Sequence, residues 1–255
     1  MGYVAGLGAL NADFIGRSRE TPVMRDSNPG YARLNAGGVT RNILENLARM
    51  GLECRLLTAV GRDALGDMAL AATRKAGVDV SRALIVSDEP TSTYCAILEP
   101  GGDMLVALSD MRILERVSDG YLDMQSALIR GAEAVVIDPS LPVRAIDRVL
   151  EIAGGVPVFA DPVSTTYAKK LVGRVGRFFM VKPNRMELEV LSGMRADTED
   201  ALRRAAQELV AEGCARVYVT LGADGCAYAD DEGRFLRMRL RPAKSMLNAT
   251  GAGDA

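Results

Sequence analysis

The chain of 255 residues contains no histidine. That absence removes histidine triads, histidine metal sites and histidine general bases, so acid–base chemistry falls to Asp, Glu, Lys, Tyr or Cys. Cysteine is scarce: Cys54, Cys95, Cys214 and Cys226 are the four, without a C-x-x-C pairing and within apolar segments. Such usage suits buried small side chains in a reducing cytosol better than a disulfide frame. Excess charge is lacking too, with 31 basic against 33 acidic residues, a formal net charge of -2 and no Lys/Arg run. Nucleic acid and anionic membrane therefore have no electrostatic footprint here, and a small-molecule partner is favoured. No apolar stretch approaches the ~20 residues of a membrane span, and no basic segment precedes a short apolar one, so a cytoplasmic location is expected.

What is present is alternation. Residues 3–9 read as a short buried strand, and Val39, Ile43, Leu47 and Met50 give a helix face over 39–50 that Gly51 stops. The pattern continues with strand 55–60, helix 65–76, strand 134–137, helix 143–153, strand 158–160, strand 178–181, helix 198–212 and strand 217–221. Strands alternating with helices predict a doubly wound, mainly parallel sheet with helices on both faces, an α/β core. Two stretches break the rhythm. Residues 14–35 are polar and punctuated by Pro and Gly, while 91–98 and 104–108 flank Pro100, Gly101, Gly102 and Asp103, a hairpin composition. They predict a small antiparallel sheet, inserted over roughly 14–36 and 90–112 of a single domain, that serves as a lid or a dimer interface.

The residues that carry chemistry follow strands. Gly6, Gly8 and Asn11 give G-x-G-x-x-N, which lacks the third glycine of a dinucleotide fingerprint, and no G-x-x-x-x-G-K-[ST] is present. Asn11 and Asp13 leave the first strand where an amide and a carboxylate can fork onto vicinal sugar hydroxyls, or where an Asx turn can form. Gly37 and Gly38 precede a helix bearing Arg41 and Asn42, so backbone can approach a ligand there. Asn184 and Glu187, three apart after another strand, present oxygens suited to a hydrated Mg²⁺; a helix N-cap with its third-position glutamate reads equally from the same residues. Thr220, Leu221 and Gly222 end a further strand, beside a nucleotide or in a plain turn. Finally Asn248, Ala249, Thr250, Gly251, Ala252, Gly253 and Asp254 combine small residues, whose N–H groups can cradle an anion, with an adjacent carboxylate, a phosphoryl-transfer layout. Read alone, that run is also an ordinary glycine loop or helix entry.

In this order the early Asn-x-Asp, the Gly-Gly before a helix with an Asn, the N-x-x-E and the T-x-G-A-G-D resemble the PfkB, or ribokinase-like, family of carbohydrate and nucleoside kinases along the whole chain. Ser27 to Gly30, Gly37 to Asn42, Thr91 to Tyr94, Ser109 to Met111, Val158 to Val163 and Asn248 are similar to its pseudouridine-phosphorylating branch. That resemblance implies ATP-dependent phosphorylation of the 5′-hydroxyl of pseudouridine, giving pseudouridine 5′-phosphate. It implies Asp254 as base, with N–H groups from Thr250, Gly251, Ala252 and Gly253 on the transferring phosphate. Asn184, Thr220, Gly222 and Thr250 would border ATP, and Asn184 and Glu187 would hold Mg²⁺ through water. Asn11, Asp13, Gly37, Gly38 and Asn42 would hold the ribose, and Ser27, Asn28, Thr93 and Asp110 are lid candidates for the base. A monovalent cation is a further cofactor candidate, and a homodimer through the lid a candidate assembly. The alternatives are a kinase for ribose, adenosine, fructose or another sugar, or an inactive nucleoside-binding protein. Family members continue past G-A-G-D with helices that close the adenine pocket; a chain without them is expected to leave Asp254 unsupported.

Overall fold

The computed structural model describes residues 2–239; Asn248, Thr250, Gly251, Ala252, Gly253 and Asp254 lie outside the described residues. The main sheet is built around β1 (Tyr3–Leu7), which pairs in parallel with β10 (Ala134–Ile137) on one side and β4 (Glu53–Leu57) on the other. Beyond β4 lies β6 (Val78–Asp79); beyond β10 follow β11 (Val158–Ala160), β12 (Met180–Val181) and β13 (Arg216–Thr220), all parallel. An antiparallel hairpin, β14 (Cys226–Asp230) and β15 (Phe235–Met238), finishes that edge. The central strands are continuous apolar runs because helices cover them from both sides. Leu7, Ile137, Val181 and Val217 are buried in one apolar cluster with Ile146 and Val149 of α5 (Val143–Ala153). On the opposite side of β1, the bare surface at Gly6 lies against Leu44 and Thr40 of α1 (Val39–Arg49), so a side chain there would displace the helix.

Helix ends follow local chemistry. α2 (Ala64–Lys75) is capped by Asp63, α8 (Glu199–Ala211) by Thr198, and α7 (Arg185–Ser192) by Asn184; α5 and α7 stop at Gly154 and Gly193 in the left-handed region. Short helices α3 (Asp119–Met124), α4 (Ser126–Arg130) and α6 (Thr165–Ala168), with the parallel pair β5 (Ala59–Gly61) and β7 (Leu84–Val86), complete the core.

The doubly wound α/β core expected from the alternation is present, and helix 143–153 and strands 134–137 and 158–160 fall within the expected limits. The expected strand 55–60 is instead two, β4 and β5, broken at Thr58, and 178–181 shortens to β12. The separate small sheet is also present, ordered β3 (Gly30–Gly37), β2 (Asn11–Ser18), β8 (Thr93–Leu98), β9 (Met104–Asp110). Its outer pairs are antiparallel, whereas β2 and β8 run in parallel. The reason is that Ala12 and Thr93 stand side by side where both strands leave the core, so β2 and β8 run outwards together while β3 and β9 return.

Ile137 pairs with both Leu7 and Ala160 and is wholly buried. Ile137→Ala is expected to destabilise the chain by about 2–5 kcal/mol. Urea unfolding reads this directly, and a loss below about 1 kcal/mol would show that the core closes around the cavity.

Candidate active site

Strand order reverses at β1: β4 and β6 are added on one side, β10 to β13 on the other. In open parallel sheets ligands bind in the crevice at the carboxyl ends of strands beside such a reversal. A cleft of about 400 Å³ opens there, lined by Asn11, Asp13, Gly38, Asn42, Asp138 and Ser140, with Tyr94, Met104, Ser109, Met111, Val163 and Tyr167 also facing it.

Asn11 and Asp13 share one face of β2 because side chains alternate along a strand, and Asn11 Nδ2 donates to Asp13 Oδ1. The Asp13 carboxylate lies over Gly37, leaving no room for a side chain there. Gly38 has φ of 111° and a Cβ there would run into the Ala9 carbonyl, so glycine is required at that position. Gly38 is also the N-cap of α1 and offers no side chain to it. Asp138 fills that role from β10's carboxyl end. Its Oδ2 accepts from Thr40 N at 3.2 Å and Ala9 N at 3.4 Å, while its Oδ1 accepts from Ser140 N at 3.0 Å and from Ser140 Oγ. Asp138 is 1% exposed, and burial pushes its carboxyl above the ordinary range against the pull of these donors. Asn11 is 2% exposed, and among the described residues its Oδ1 has no hydrogen-bond partner. A buried acceptor left open beside a cleft suits a ligand hydroxyl.

The lid contributes by register. Asp13 stands beside Tyr94, and Tyr94 beside Ser109, so these three share the cleft face. Ser109 Oγ and Tyr167 Oη of α6 are 3.3 Å apart, a contact between lid and core. Val163 has φ of +66°, an uncommon conformation for a β-branched residue, and Asp161 Oδ1 accepts from its N–H at 2.8 Å.

The base candidates require correction. Thr93 and Asp110 pair with each other one position away from Tyr94 and Ser109, hence on the opposite face, and the Asp110 carboxylate accepts from Arg112 at 2.9 and 2.7 Å. Ser27 and Asn28 sit in an exposed turn, where the Asn28 amide bonds Val23 N and O at 2.8 and 2.9 Å. None of the four lines the cleft. Tyr94, Ser109 and Val163 enter the sequence reading only within family-like runs, without a role, and Asp138, Ser140 and Tyr167 do not enter it. For Asp138 a signal existed, a carboxylate directly after the apolar run 134–137; for the lid residues, parity depends on a strand register the sequence does not display.

Further along the same strand ends, Thr220 N donates to the Pro183 carbonyl at 2.9 Å and Asn184 stands beside Thr220, bringing together residues 36 apart in sequence. Gly222 follows in the left-handed region. Asn184 and Glu187 form a reciprocal capping box: Glu187 N donates to Asn184 Oδ1 at 2.9 Å and Asn184 N to Glu187 Oε2 at 2.8 Å. Glu187 is 4% exposed; burial raises its pKa and Asp161 adds to this, while Lys182, ion-paired to Asp161 at 2.8 Å, opposes it. Among the described residues no three His, Cys, Asp or Glu converge to hold a metal. The donors present, one buried carboxylate, an amide and a hydroxyl, fit Mg²⁺ arriving with its waters on a nucleotide's phosphates. Cys54 and Cys214 are buried, which pushes their thiols up to about 11, so neither offers a thiolate. Among the described residues no helix is long and apolar enough to cross a membrane.

Asp138→Ala removes the acceptor for three buried N–H groups and the Ser140 hydroxyl and is expected to cost about 2–4 kcal/mol. It should also weaken ligand binding in the cleft, because Gly38 and Asn42 depend on the seating of α1. Urea unfolding and calorimetry check both, and unchanged stability would deny Asp138 its anchoring role.

Comparison with known proteins bears on the family and the fold. The sequence profile of the pfkB family carbohydrate kinases matches residues 1–255. Pseudouridine kinase from Escherichia coli (strain K12) is 38% identical over 254 residues, spanning 99% of this chain and 80% of that enzyme. A carbohydrate kinase from Agrobacterium tumefaciens superimposes with a TM-score of 0.81 at 28% identity, over 100% of this chain and 81% of that one. Ribokinase from Arabidopsis thaliana, complexed with ribose and ATP, shares the fold with a TM-score of 0.83 at 22% identity, over 99% and 82%.

Proposed function

The chain belongs to the pfkB family of carbohydrate kinases and is a small-molecule kinase, and from that premise we propose that it phosphorylates the 5′-hydroxyl of pseudouridine. The observation that carries a nucleoside over a free sugar is the composition of the cleft. Beside the hydroxyl-binding set Asn11, Asp13, Gly38 and Asn42 stand Tyr94, Tyr167, Met104, Met111 and Val163, apolar surface that a pentose alone would leave in contact with water.

In this reading the ribose hydroxyls bond Asp13 and the open Asn11 Oδ1, which places O5′ for attack and makes the transfer effectively intramolecular. O5′ bonds to the γ-phosphorus, the bond from that phosphorus to the bridging oxygen breaks, ADP leaves, and the hydroxyl proton passes to a base. By family resemblance that base is Asp254, with Thr250, Gly251, Ala252 and Gly253 giving N–H groups to the phosphoryl oxygens. Asn184, Thr220 and Gly222 would border the nucleotide, and Asn184 and Glu187 would hold its Mg²⁺ through water. Bound with ATP, Mg²⁺ neutralises phosphate charge. The lid strands exclude water, which would otherwise compete as acceptor.

Pseudouridine differs from uridine in exposing an additional ring N–H, and Ser109 Oγ and Tyr167 Oη are the facing hydroxyl acceptors. A site built to accept that N–H is left unpaired by uridine. With ATP and Mg²⁺, the enzyme is therefore expected to favour pseudouridine over uridine, ribose, fructose and adenosine in kcat/KM. Tyr167→Phe should cut the preference over uridine by about tenfold while leaving uridine turnover unaltered. Preferred turnover of ribose, fructose or adenosine would overturn the assignment.

We also propose a homodimer through the lid. Its outer face carries Leu34, Phe14, Cys95 and Leu108 in one transverse row and Ile97 and Val106 in the next, and all six are exposed. A second copy of the same sheet covers such a face symmetrically. Sedimentation should give a dimer that Leu108→Glu converts to monomer; a monomeric wild type at micromolar concentration would refute it.

A further inference from the structure

We propose that Asp161 is a positioning residue for the acceptor, shaping the cleft wall of Val163, Ser164 and Tyr167 from outside the cleft. β11 and β12 pair Phe159 with Met180 and Ala160 with Val181, and the ladder runs on beyond them. Asp161 N donates to the Ile137 carbonyl at 3.2 Å and Lys182 N to the Ala160 carbonyl at 3.0 Å. Asp161 and Lys182 are therefore neighbours at the carboxyl end of the sheet, with Lys182 Nζ 2.8 Å from Asp161 Oδ2. The other oxygen, Oδ1, accepts from Val163 N at 2.8 Å. Asp161 is 7% exposed and is not among the residues that line the cleft.

The turn that this carboxylate closes leads straight into the cleft. Pro162 has no N–H, so Val163 supplies the first donor that can fold back onto Asp161. The bond holds Val163 at φ of +66°, which a β-branched side chain otherwise avoids. A second turn follows at once, Ser164 N donating to the Pro162 carbonyl at 2.7 Å, and Ser164 Oγ then accepts from Tyr167 N at 3.3 Å as α6 begins. Val163, Ser164 and Tyr167 all line the cleft. Released from Oδ1, Val163 would relax to negative φ, and reversing one φ redirects the chain after it, so the three would shift together. Dispersion contact is lost over a fraction of an ångström, so a displaced wall holds its ligand less well. Lys182 acts one step further back, since a buried carboxylate needs a partner and this lysine supplies it from the neighbouring strand.

The inference rests on the kinase reading only in taking the cleft as the acceptor site. The test compares replacements of Asp161 in the full-length enzyme carrying Lys182→Met, so that none leaves a buried lysine unpaired. The acceptor is pseudouridine, or whichever member of the panel gives the highest kcat/KM. Asp161→Asn keeps an oxygen for the Val163 N–H and removes the charge, whereas Asp161→Ala removes both. Acceptor KM should be about tenfold higher with Ala than with Asn, and ATP KM the same within about twofold. Asp161→Ser, whose hydroxyl closes the same turn more weakly, should lie about threefold above Asn, and that comparison carries the test if the Ala variant does not fold. A merely structural role would lower the folded fraction, and with it kcat per chain, without separating the two KM values. Equal acceptor KM across the replacements, or an ATP KM that moves as far as the acceptor's, would overturn the proposal. Calorimetric binding of the acceptor reads the same shifts without turnover; binding that follows the replacements in an enzyme that phosphorylates nothing would defeat the kinase reading and sustain this one. A wild type that neither binds nor phosphorylates any sugar or nucleoside would defeat both.

Discussion

A carboxyl group 1% exposed is costly unless its oxygens are satisfied, and Asp138 meets that condition by joining three pieces of chain. Its donors come from Ala9 where β1 ends, from Thr40 in the first turn of α1, and from Ser140 beyond β10. Because Gly38 gives α1 no side-chain cap, the Thr40 N–H in the helix's first turn is satisfied by this carboxyl instead. Gly8 is bound to the same constraint, since a Cβ there would meet both Asp138 and the Thr40 hydroxyl. The distance between the Asn11–Asp13 pair on β2 and Gly38 with Asn42 at α1 is thus set by a contact that lies beneath them. Asp138 occupies the cleft as its scaffold first, and whatever it does for a ligand comes through the residues it seats.

Periodicity made the core legible wherever a helix ran for three turns against a strand, as in 134–160, where strand, helix and strand fall within the expected limits. It failed where the pattern had too few turns to show, at α3, α4 and α6, and at β14 and β15, whose antiparallel return interrupts the strand–helix rhythm. The lid was recognisable only by contrast, as stretches too polar and glycine-rich for helices. Its pairing was not, because a parallel neighbour such as β8 for β2 is chosen by where both strands leave the core.

The site divides along the same line. Asn11, Asp13, Gly38 and Asn42 were readable because they follow elements whose direction the core pattern implies, and all four line one cleft. The base candidates depended on register, and a slip of one residue exchanges faces: Thr93 and Asp110 sit behind the sheet while Tyr94 and Ser109 look into the cleft. Val163 could not be foreseen at all, since a β-branched residue at φ of +66° contradicts local preference. Such a conformation costs roughly 1–3 kcal/mol and persists only under external restraint, here the Asp161 carboxylate on its N–H.

Asn184 and Glu187 show why a structural and a ligand-facing reading of the same residues need not compete. The capping box engages one carboxylate oxygen of Glu187 and the single side-chain oxygen of Asn184 in reciprocal bonds, which fixes the first turn of α7 beside Thr220. A carboxylate held only to serve as a cap could sit in water, where it is unpenalised. Glu187 is instead buried and faces Asp161, a like charge that disfavours its ionised form, with Lys182 only partly offsetting the pair. Burial and Asp161 together disfavour the ionised form of Glu187, against the pull of the Asn184 N–H and Lys182, so a proton or a nearby cation relieves the carboxyl. The cap thus holds in place, at the carboxyl ends of the strands, a carboxyl whose ionised form its surroundings disfavour.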